Sequence, residues 1–285
     1  MLRPEVLASG YGTTEGPTVD AEGQLYFSDI PRGGVYRWSP EAGVETVIPK
    51  RRGVGGICLH RDGGLVVAGR DVSHVRDGET RVLLSREDVA ALGGAGAVGG
   101  FNDLHADDQG RVLVGSVRLD EAGGRLPGDL VLIRGEHEAQ ILYSGVVGCN
   151  GLALDWASRR LYHSASYGHE IIVSQFVERD RVEIVNRIST ADIEGVPDGL
   201  ALDAEGCVWV AFYRGGCLVR FKPDGEVADR FDLPAREVTS LCFGGEDGRD
   251  LFITTEDNTE DPQLQGCVWR TRVEVRGAPV GVATI

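Results

Sequence analysis

The sequence lacks long apolar runs and segments with helical periodicity. No hydrophobic stretch approaches the ~20 apolar residues of a membrane-spanning helix. The first residues, MLRPEVLASGYG, contain no basic segment followed by a long apolar core. No long stretch has apolar residues at helical spacing, which argues against a mainly helical fold. We therefore expect a cytoplasmic protein that does not interact with membranes.

Basic residues and paired cysteines are also scarce. The 29 Lys and Arg residues are outnumbered by 44 Asp and Glu residues, so the formal net charge is −15. This surplus repels phosphate backbones, and we expect no nucleic acid partner. The excess acidic residues are spread along the chain, which indicates that they keep the protein soluble. The alternative is that they attract cations. The six cysteines form no C-x-x-C pair, which predicts buried free thiols rather than disulfides or a zinc site.

Glycine, in contrast, is abundant at 41 residues, and one sequence unit recurs six times. Each unit is a short apolar strand, a polar turn and a second apolar strand. The units start at Glu15, Gly55, Asn102, Asn150, Asp198 and Thr239. The starts are separated by 40, 47, 48, 48 and 41 residues, which leaves room for two further strands in each unit. This arrangement is typical of the four-stranded blades of a β-propeller.

The turns and the later strands of the units support this interpretation. A D-x-x-G pattern, in which Asp opens a type I turn and Gly takes a positive φ, occurs at Asp20–Gly23, Asp107–Gly110 and Asp203–Gly206. Third strands are expected within 34–40, 130–136, 170–177, 217–225 and 266–273. We predict an all-β fold in which residues 1–285 form one domain, a six-bladed β-propeller with four-stranded blades. The N-terminal EVLASG should supply the last strand of the final blade, because ring closure removes exposed sheet edges.

The residues at the unit starts are candidates for an axial site. The first strand of a propeller blade lines the central channel, so these positions should converge. Four of them carry side-chain oxygens: Glu15, Asn102, Asn150 and Asp198. Two carboxylates and two amides in one place would repel or stay unsatisfied without a cation. Oxygen ligands favour one Ca²⁺ ion, with Zn²⁺, Mn²⁺ or Mg²⁺ as other occupants, and a water-filled polar channel is the alternative.

Several segments resemble the family of senescence marker protein 30 (regucalcin), gluconolactonase and luciferin-regenerating enzyme. They are TEGPTVDAEGQLYFSDI, FNDLHADDQGRVLVGS, CNGLALDWASRRLY and VPDGLALDAEGCVWVAFYRGGCLVRFKPDG, and the similarity covers nearly the whole chain. The resemblance implies a six-bladed propeller in which Glu15, Asn150 and Asp198 hold a divalent metal. It places Asn102 beside the metal, in contact with substrate or in the coordination shell. It also implies lactone hydrolysis, in which the metal polarises the carbonyl and Asp198 assists attack by water.

One departure from the family pattern concerns substrate binding. Sugar-lactone members often have Arg two residues before the N-D motif, where this chain has Gly100. Arg118 is expected to compensate by reaching over the channel mouth, or else to be a solvated loop residue. The glycine-rich segment 91–100 either passes over the same mouth or links two blades. Tyr213 and Arg214 are candidates for the rim of the site.

The histidines, the expected partner and the alternative functions can also be predicted from the sequence. We expect His105 to be packed in a strand. His163 and His169 are expected at the surface, with positions that face the pocket as the alternative. The expected partner is a small-molecule lactone, a sugar lactone or a related one, and the expected state is a monomer or weak homo-oligomer. The alternatives are an organophosphate or fluorophosphate hydrolase on the same calcium propeller, and a non-catalytic calcium-binding propeller.

Overall fold

Short β-strands carry almost all regular structure in the computed structural model, which describes residues 4–285. The strands form six antiparallel sheets, most of them with four strands in chain order. The part of the chain described here has one α-helix, α1 (Arg86–Ala91), and two 3₁₀ turns, Ser166–Gly168 and Pro262–Leu264. No helix within these residues is long and apolar enough to span a membrane.

The first half of the chain forms three sheets. β1 (Glu5–Tyr11) precedes the first sheet, which contains β2 (Thr14–Val19), β3 (Leu25–Asp29), β4 (Val35–Ser39) and β5 (Gly43–Ile48). The second sheet contains β6 (Ile57–Leu59), β7 (Leu65–Val67), β8 (Val72–Arg76) and β9 (Glu79–Leu84). The third contains β10 (Ala97–Ala106), β11 (Val112–Leu119), the short β12 (Arg125–Leu126), β13 (Gly128–Gly135) and β14 (Glu138–Val146).

The second half of the chain repeats this arrangement. The fourth sheet contains β15 (Cys149–Asp155), β16 (Arg160–Ala165), β17 (Glu170–Phe176) and β18 (Val182–Ser189). The fifth contains β19 (Val196–Leu202), β20 (Val208–Tyr213), β21 (Cys217–Phe221) and β22 (Val227–Asp232). The sixth contains β23 (Val238–Gly244), β24 (Asp250–Thr255) and β25 (Gly266–Arg272), and β1 is its fourth strand.

The six sheets are distributed over two compact units. One unit holds the chain up to Val54 together with Thr190–Pro279, and contains the first, fifth and sixth sheets. The other holds Gly55–Ser189 with Val280–Ile285, and contains the second, third and fourth sheets. The predicted six blades are confirmed, including a third strand at each of the five expected places. That residues 1–285 form a single domain stays a prediction.

Apolar side chains from neighbouring sheets pack face to face within each unit. Trp209 of the fifth sheet and Ile253 of the sixth belong to one buried cluster. Val66 of the second sheet and Val131 of the third belong to another. Alternation along each strand directs these residues into the layer between two sheets. Their removal from water, at roughly 25 cal/mol per Å² of apolar surface, is the main force that holds neighbouring sheets together.

The D-x-x-G turns have the predicted geometry. In the fifth sheet, Gly206 N donates to Asp203 O at 3.1 Å, and Gly206 has φ +79°. The Asp203 carboxylate also accepts from Trp209 Nε1 at 2.9 Å and from Arg220 Nε at 2.7 Å. Equivalent backbone bonds close the turns at Asp20–Gly23 and Asp107–Gly110. An Asp therefore closes each turn, and the buried Asp203 also ties its turn to the strands beside it.

The predicted role of EVLASG is confirmed, because β1 pairs antiparallel with β25. Ala8 lies opposite Val268 and is buried in a cluster that also contains Phe27. Arg270 Nε donates to the Glu5 carboxylate at 2.6 Å across the same pair of strands. The N-terminal segment thereby covers an edge that β25 would otherwise expose, and an unpaired edge is a template for aggregation.

The cysteines are free thiols, as predicted. Five are buried and Cys242 is half-buried. Burial raises the pKa of the Cys58 thiol to about 12. Because the thiolate is the reactive form, burial keeps such a group inert, and it contributes to the structure as a small apolar side chain.

The pairing of β1 with β25 can be tested at Ala8, which is buried, and at Ser9, which is its exposed neighbour. We expect Ala8→Asp to lower the free energy of unfolding by at least about 2 kcal/mol, because it buries an unpaired carboxylate. Ser9→Asp should change it by less than about 0.5 kcal/mol. Urea unfolding followed by tryptophan fluorescence measures both. Equal effects of the two substitutions would contradict the packing of β1.

Candidate functional site

Five of the first strands of the sheets share an irregularity near the start of the repeat unit. The pairing register with the second strand shifts between Glu15 and Thr18, Phe101 and Leu104, Cys149 and Leu152, Pro197 and Leu200, and Val238 and Ser240. A β-bulge at such a shift turns a side chain out of the regular alternation of the strand. Asn102, Asn150 and Asp198 lie inside these shifts, and Glu15, which is paired with Ser28, borders one.

Glu15 and Asp198, called here the carboxylate pair, belong to the same unit. Their side chains are buried, with 7% and 6% of the residue surface exposed. One Glu15 oxygen, Oε2, accepts from Gly16 N at 3.0 Å. Gly16 has φ +58°, a backbone conformation that glycine adopts without steric cost. This glycine explains the E-G-P segment, because it lets the bulge turn at the carboxylate.

The start of β23 lies between the strands that carry the carboxylate pair. A Cβ on Gly199 would lie 2.6 Å from the Ser240 Cα, so the starts of β19 and β23 are in close contact. Thr239 Oγ1 donates to Thr14 O at 2.7 Å and thereby joins β23 to β2. The three strand starts are therefore contiguous, and Thr239, the aligned residue between the two acids, is engaged in structure.

Asn102 and Asn150, called here the amide pair, belong to the other unit. Asn102 Nδ2 donates to Asn150 Oδ1 at 3.1 Å and to Cys149 O at 3.0 Å. Asn150 Nδ2 in turn donates to Ser166 Oγ at 3.2 Å. A Cβ on Gly55 would lie only 2.2 Å from Asn102 Oδ1. The aligned position of the second sheet therefore holds glycine because the neighbouring amide occupies the space.

Asp103 is a buried acid that the sequence patterns did not single out. It follows Asn102 in β10, and desolvation by burial raises the pKa of its carboxyl to about 7. A Cβ on Gly56 would lie 3.0 Å from the Asp103 Cα, which places this residue at the contact with the second sheet. The signal for it was present in the N-D motif, where an acid stands inside an apolar strand.

The donor set limits what these residues could bind. Among residues 4–285, no group of three or more His, Cys, Asp and Glu side chains could hold a metal ion. A metal bound by the candidate ligands would therefore need amide oxygens in addition to carboxylates. Carboxylate and amide oxygens are the donors that hard divalent cations prefer. The residues present thus fit Ca²⁺ or a similar ion and lack the sulfur ligands of a structural zinc site.

Arg118 is only 1% exposed, so its interpretation as a solvated loop residue is wrong. Its Nε donates to Asp129 Oδ2 at 2.7 Å in a buried ion pair. Its other nitrogens donate to the carbonyl oxygens of Gly93 at 2.5 Å and Gly96 at 3.5 Å. The guanidinium therefore anchors the glycine-rich segment to the third sheet. A contact between Arg118 and substrate stays a prediction.

The glycine-rich segment 91–100 consists of two parts. Residues 92–96 form an exposed turn after α1, and β10 begins at Ala97. β10 therefore starts five residues before Asn102, whereas the other irregular strands start one or two residues before their aligned position. Its early part pairs with the end of β11, with Val98 opposite Arg118. The third sheet thus extends further than its neighbours at the end that carries the amide pair.

Tyr213 lies at the end of the fifth sheet that carries Asp198, because it is paired with Val196. Its hydroxyl donates to Glu256 Oε2 at 2.8 Å. Burial, and after it the bond to Glu256, raise the pKa of Tyr213. The guanidinium of Arg214 lies over the Tyr213 ring, and its Nε is 3.6 Å from Glu237 Oε1. Their position at the rim of the site and a contact with substrate both stay predictions.

The histidines differ from the predictions at one position. His163 is fully buried, its Nδ1 lies 3.0 Å from the Tyr143 hydroxyl, and burial lowers its pKa to about 3. Its predicted surface position is therefore wrong. His169 is exposed, as predicted. His105 is packed in β10, and burial lowers its pKa to about 4, which agrees with the prediction of a packed histidine.

Comparisons with known proteins agree with these observations. The family model described as "SMP-30/Gluconolactonase/LRE-like region" matches residues 13–257. A 6-deoxy-6-sulfogluconolactonase of Pseudomonas putida is 33% identical over 263 residues, which cover 89% of this chain and 88% of the relative. A pentonolactonase of Haloferax volcanii is 29% identical over 273 residues, which cover 90% and 89% of the two chains.

A solved structure shows the same fold. The crystal structure of a calcium-binding protein, regucalcin, from Agrobacterium tumefaciens matches with a TM-score of 0.82 at 18% identity. The match covers 100% of this chain and 98% of that one. The fold is thereby an all-β, six-bladed β-propeller with four-stranded blades, as predicted.

The anchor formed by Arg118 and Asp129 can be tested by unfolding. We expect Arg118→Met to lower the free energy of unfolding by about 3–5 kcal/mol, because it leaves the Asp129 charge buried without its partner. The double variant with Asp129→Asn should recover at least half of the loss. Arg134→Met removes only half-exposed ion pairs with Glu138 and Asp180 and should cost less than about 1 kcal/mol. A similar cost for Arg118→Met and Arg134→Met would contradict the anchor.

The buried His163 predicts an acid sensitivity. Its pKa is about 3 in the folded state and about 6.5 when unfolded, so between these values the unfolded state binds more protons. The free energy of unfolding therefore falls as pH falls through this window, by up to about 1.4 kcal/mol per pH unit. His163→Gln should flatten this dependence, and His169→Asn should not. Urea unfolding at several pH values measures this pH dependence. The raised pKa of Asp103 makes a contribution of opposite sign to the free energy of unfolding, and this contribution is the same in all variants.

Proposed function

The chain belongs to the SMP-30/gluconolactonase/LRE-like family, and on this basis we propose that it is a divalent-metal-dependent lactonase. Relatives named as lactonases support lactone hydrolysis at the level of the family. The observation that carries the proposal is that oxygen-bearing side chains stand at four shifted strand starts, with Asn102, Asn150 and Asp198 inside the shift and Glu15 at its first residue. The start of β23 has the same kind of shift at Thr239, whose hydroxyl is bonded within the protein, so the proposal depends on the oxygen donors at the other four starts.

We assign the metal to Glu15, Asn150 and Asp198, with Asn102 either as a further ligand or as a contact to substrate. The assignment rests on the alignment of the repeats, on the family resemblance and on the donor types. Burial of both acids supports it, because a buried carboxylate needs positive charge or hydrogen-bond donors nearby, and a bound cation supplies the charge. Ca²⁺ is the preferred occupant, and Zn²⁺, Mn²⁺ or Mg²⁺ are alternatives. When bound, such an ion polarises the lactone carbonyl and stabilises the developing oxyanion.

Asp198 is the proposed general base. Its carboxylate accepts a proton from water while the water oxygen attacks the carbonyl carbon. The ring C–O bond then breaks, the proton passes to the ring oxygen, and the product is an open-chain hydroxy acid. Asn102 and Tyr213 are the proposed contacts to the substrate oxygens. The predicted contact between Arg118 and substrate is not part of this proposal, because the Arg118 donors bond to Asp129 and to the glycine-rich segment.

The proposed substrate is a small sugar lactone or a related lactone. Both curated relatives named above are lactonases of sugar-derived rings by their names. Gly100 stands where many sugar-lactone members have arginine, so the residues that bind the ring differ in this chain. We expect the enzyme to work in the cytoplasm as a monomer or weak homo-oligomer.

A panel of substrates tests the proposal. Aldonolactones, aromatic lactones and paraoxon are assayed with the wild-type protein before and after complete metal removal by EDTA. We expect lactone hydrolysis that disappears with EDTA and returns with added Ca²⁺. Asp198→Asn should lower kcat/KM by at least about 100-fold, because it removes both a ligand and the base. Asp192→Asn, at an exposed position of the same segment, is the matched control and should leave kcat/KM unchanged.

Each of the other outcomes identifies a different function. Lactone hydrolysis that survives complete metal removal would contradict the metal mechanism. Preferential turnover of paraoxon would favour an organophosphate hydrolase. Tight Ca²⁺ binding without turnover of any ester or lactone would favour a calcium-binding propeller.

A further inference from the structure

Position 100 has no room for a side chain. A Cβ on Gly100 would lie 2.7 Å from the carbonyl oxygen of Gly69 and 3.8 Å from the Arg70 Cα. The same carbonyl accepts from Phe101 N at 2.6 Å, which holds the two segments together. An arginine at position 100 would therefore require the segment after β7 to move. Packing against the second sheet thus explains why this chain departs from the family pattern.

The segment that excludes this side chain carries an arginine of its own. Arg70 lies between β7 and β8, and Ala68 N, two residues earlier, donates to Gly56 O at 2.9 Å. The preceding Gly55 lies against Asn102 Oδ1. Arg70 is therefore positioned by backbone contacts to β10 on one side and to the start of the second sheet on the other. The first contact involves Phe101, which precedes Asn102, and the second involves Gly56, which follows Gly55.

Arg70 differs from Arg118 in what its guanidinium does. Arg118 is buried and its donors are used within the protein. Arg70 is exposed and makes no hydrogen bond or ion pair with any residue of the described chain, 4–285. A guanidinium has five N–H donors in a planar fork that suits carboxylates and neighbouring oxygen atoms. The guanidinium of Arg70 is thus free to bind a ligand, and the Arg70 backbone lies beside β10, two residues from Asn102.

We infer that Arg70 is a substrate-binding residue that supplies, from the second sheet, the positive charge that position 100 cannot hold. The inference rests on the proposed function, since the ligand is the lactone and its product. The guanidinium donates to oxygen substituents of the lactone ring and to the carboxylate of the hydroxy acid formed by ring opening. The substrate class is accordingly a lactone with oxygen substituents, and a purely aliphatic lactone would gain little from this contact.

Steady-state kinetics on the most active lactone of the panel test this assignment. Arg70→Met should raise KM about tenfold while kcat changes less than about threefold, because a charged hydrogen bond is lost without loss of the base or metal ligands. Arg70→Lys should recover part of the affinity, since it keeps the charge but not the planar fork. Arg61→Met is the matched control. Arg61 is also exposed, but it lies in the turn before β7, at the opposite end of that strand from Arg70. Arg61→Met should leave KM unchanged.

Binding of the product measures the same contact without turnover. Isothermal titration with gluconate should give a Kd about tenfold higher for Arg70→Met than for wild type and Arg61→Met. Wild-type lactone hydrolysis with KM and Kd unchanged within twofold in Arg70→Met would overturn the role of Arg70 and leave the proposed function standing. A wild-type protein that neither hydrolyses lactones nor binds gluconate would overturn both. Gluconate binding that depends on Arg70 without hydrolysis would overturn the proposed function alone. Equal thermal unfolding of all variants confirms that the fold is retained.

Discussion

The burial of two carboxylates, Glu15 and Asp198, at the starts of strands is the constraint on which the site depends. Removing a carboxylate from water is costly unless a positive charge or hydrogen-bond donors replace the lost solvation. The amide pair satisfies part of this need internally, through Asn102, Asn150 and Ser166. The carboxylate pair is acceptor-only when ionised. The burial of the carboxylate pair is therefore one of the grounds for the proposal that a cation binds there.

Close packing between neighbouring sheets determines what surrounds these groups. A side chain at Gly55 would collide with the Asn102 amide, and a side chain at Gly100 would collide with the backbone of Gly69. Each glycine permits a contact between two sheets that any side chain would block. Arg118 acts in the opposite sense, because it fills space and fixes the glycine-rich turn through its carbonyl oxygens. The buried Arg118 thus holds the turn that precedes the amide-bearing strand β10, and the exposed Arg70 lies next to β10 at position 100.

Interpretation of the sequence succeeded where local interactions decide the structure. Strand alternation, the D-x-x-G turns and the spacing of the repeats depend on residues close together in the chain, and they predicted the six sheets and the strand formed by β1. The same repeats align Glu15, Asn102, Asn150 and Asp198 without any knowledge of their contacts. The interpretation failed for His163 and for the solvated alternative for Arg118. The burial of these two polar side chains depends on partners in other strands.

By itself, the sequence determined the fold class, the number of blades, the family and the four positions of interest, because each of these repeats along the chain as a pattern. Only the tertiary structure decided that His163 and Arg118 are buried, where the register shifts fall, and what the arginines contact. Position 100 illustrates the difference. The sequence shows that an arginine is missing there, and the packing of Gly69 against it explains the absence and places Arg70 beside it. Contacts between sheets join residues that are far apart in the chain, and no local pattern records them.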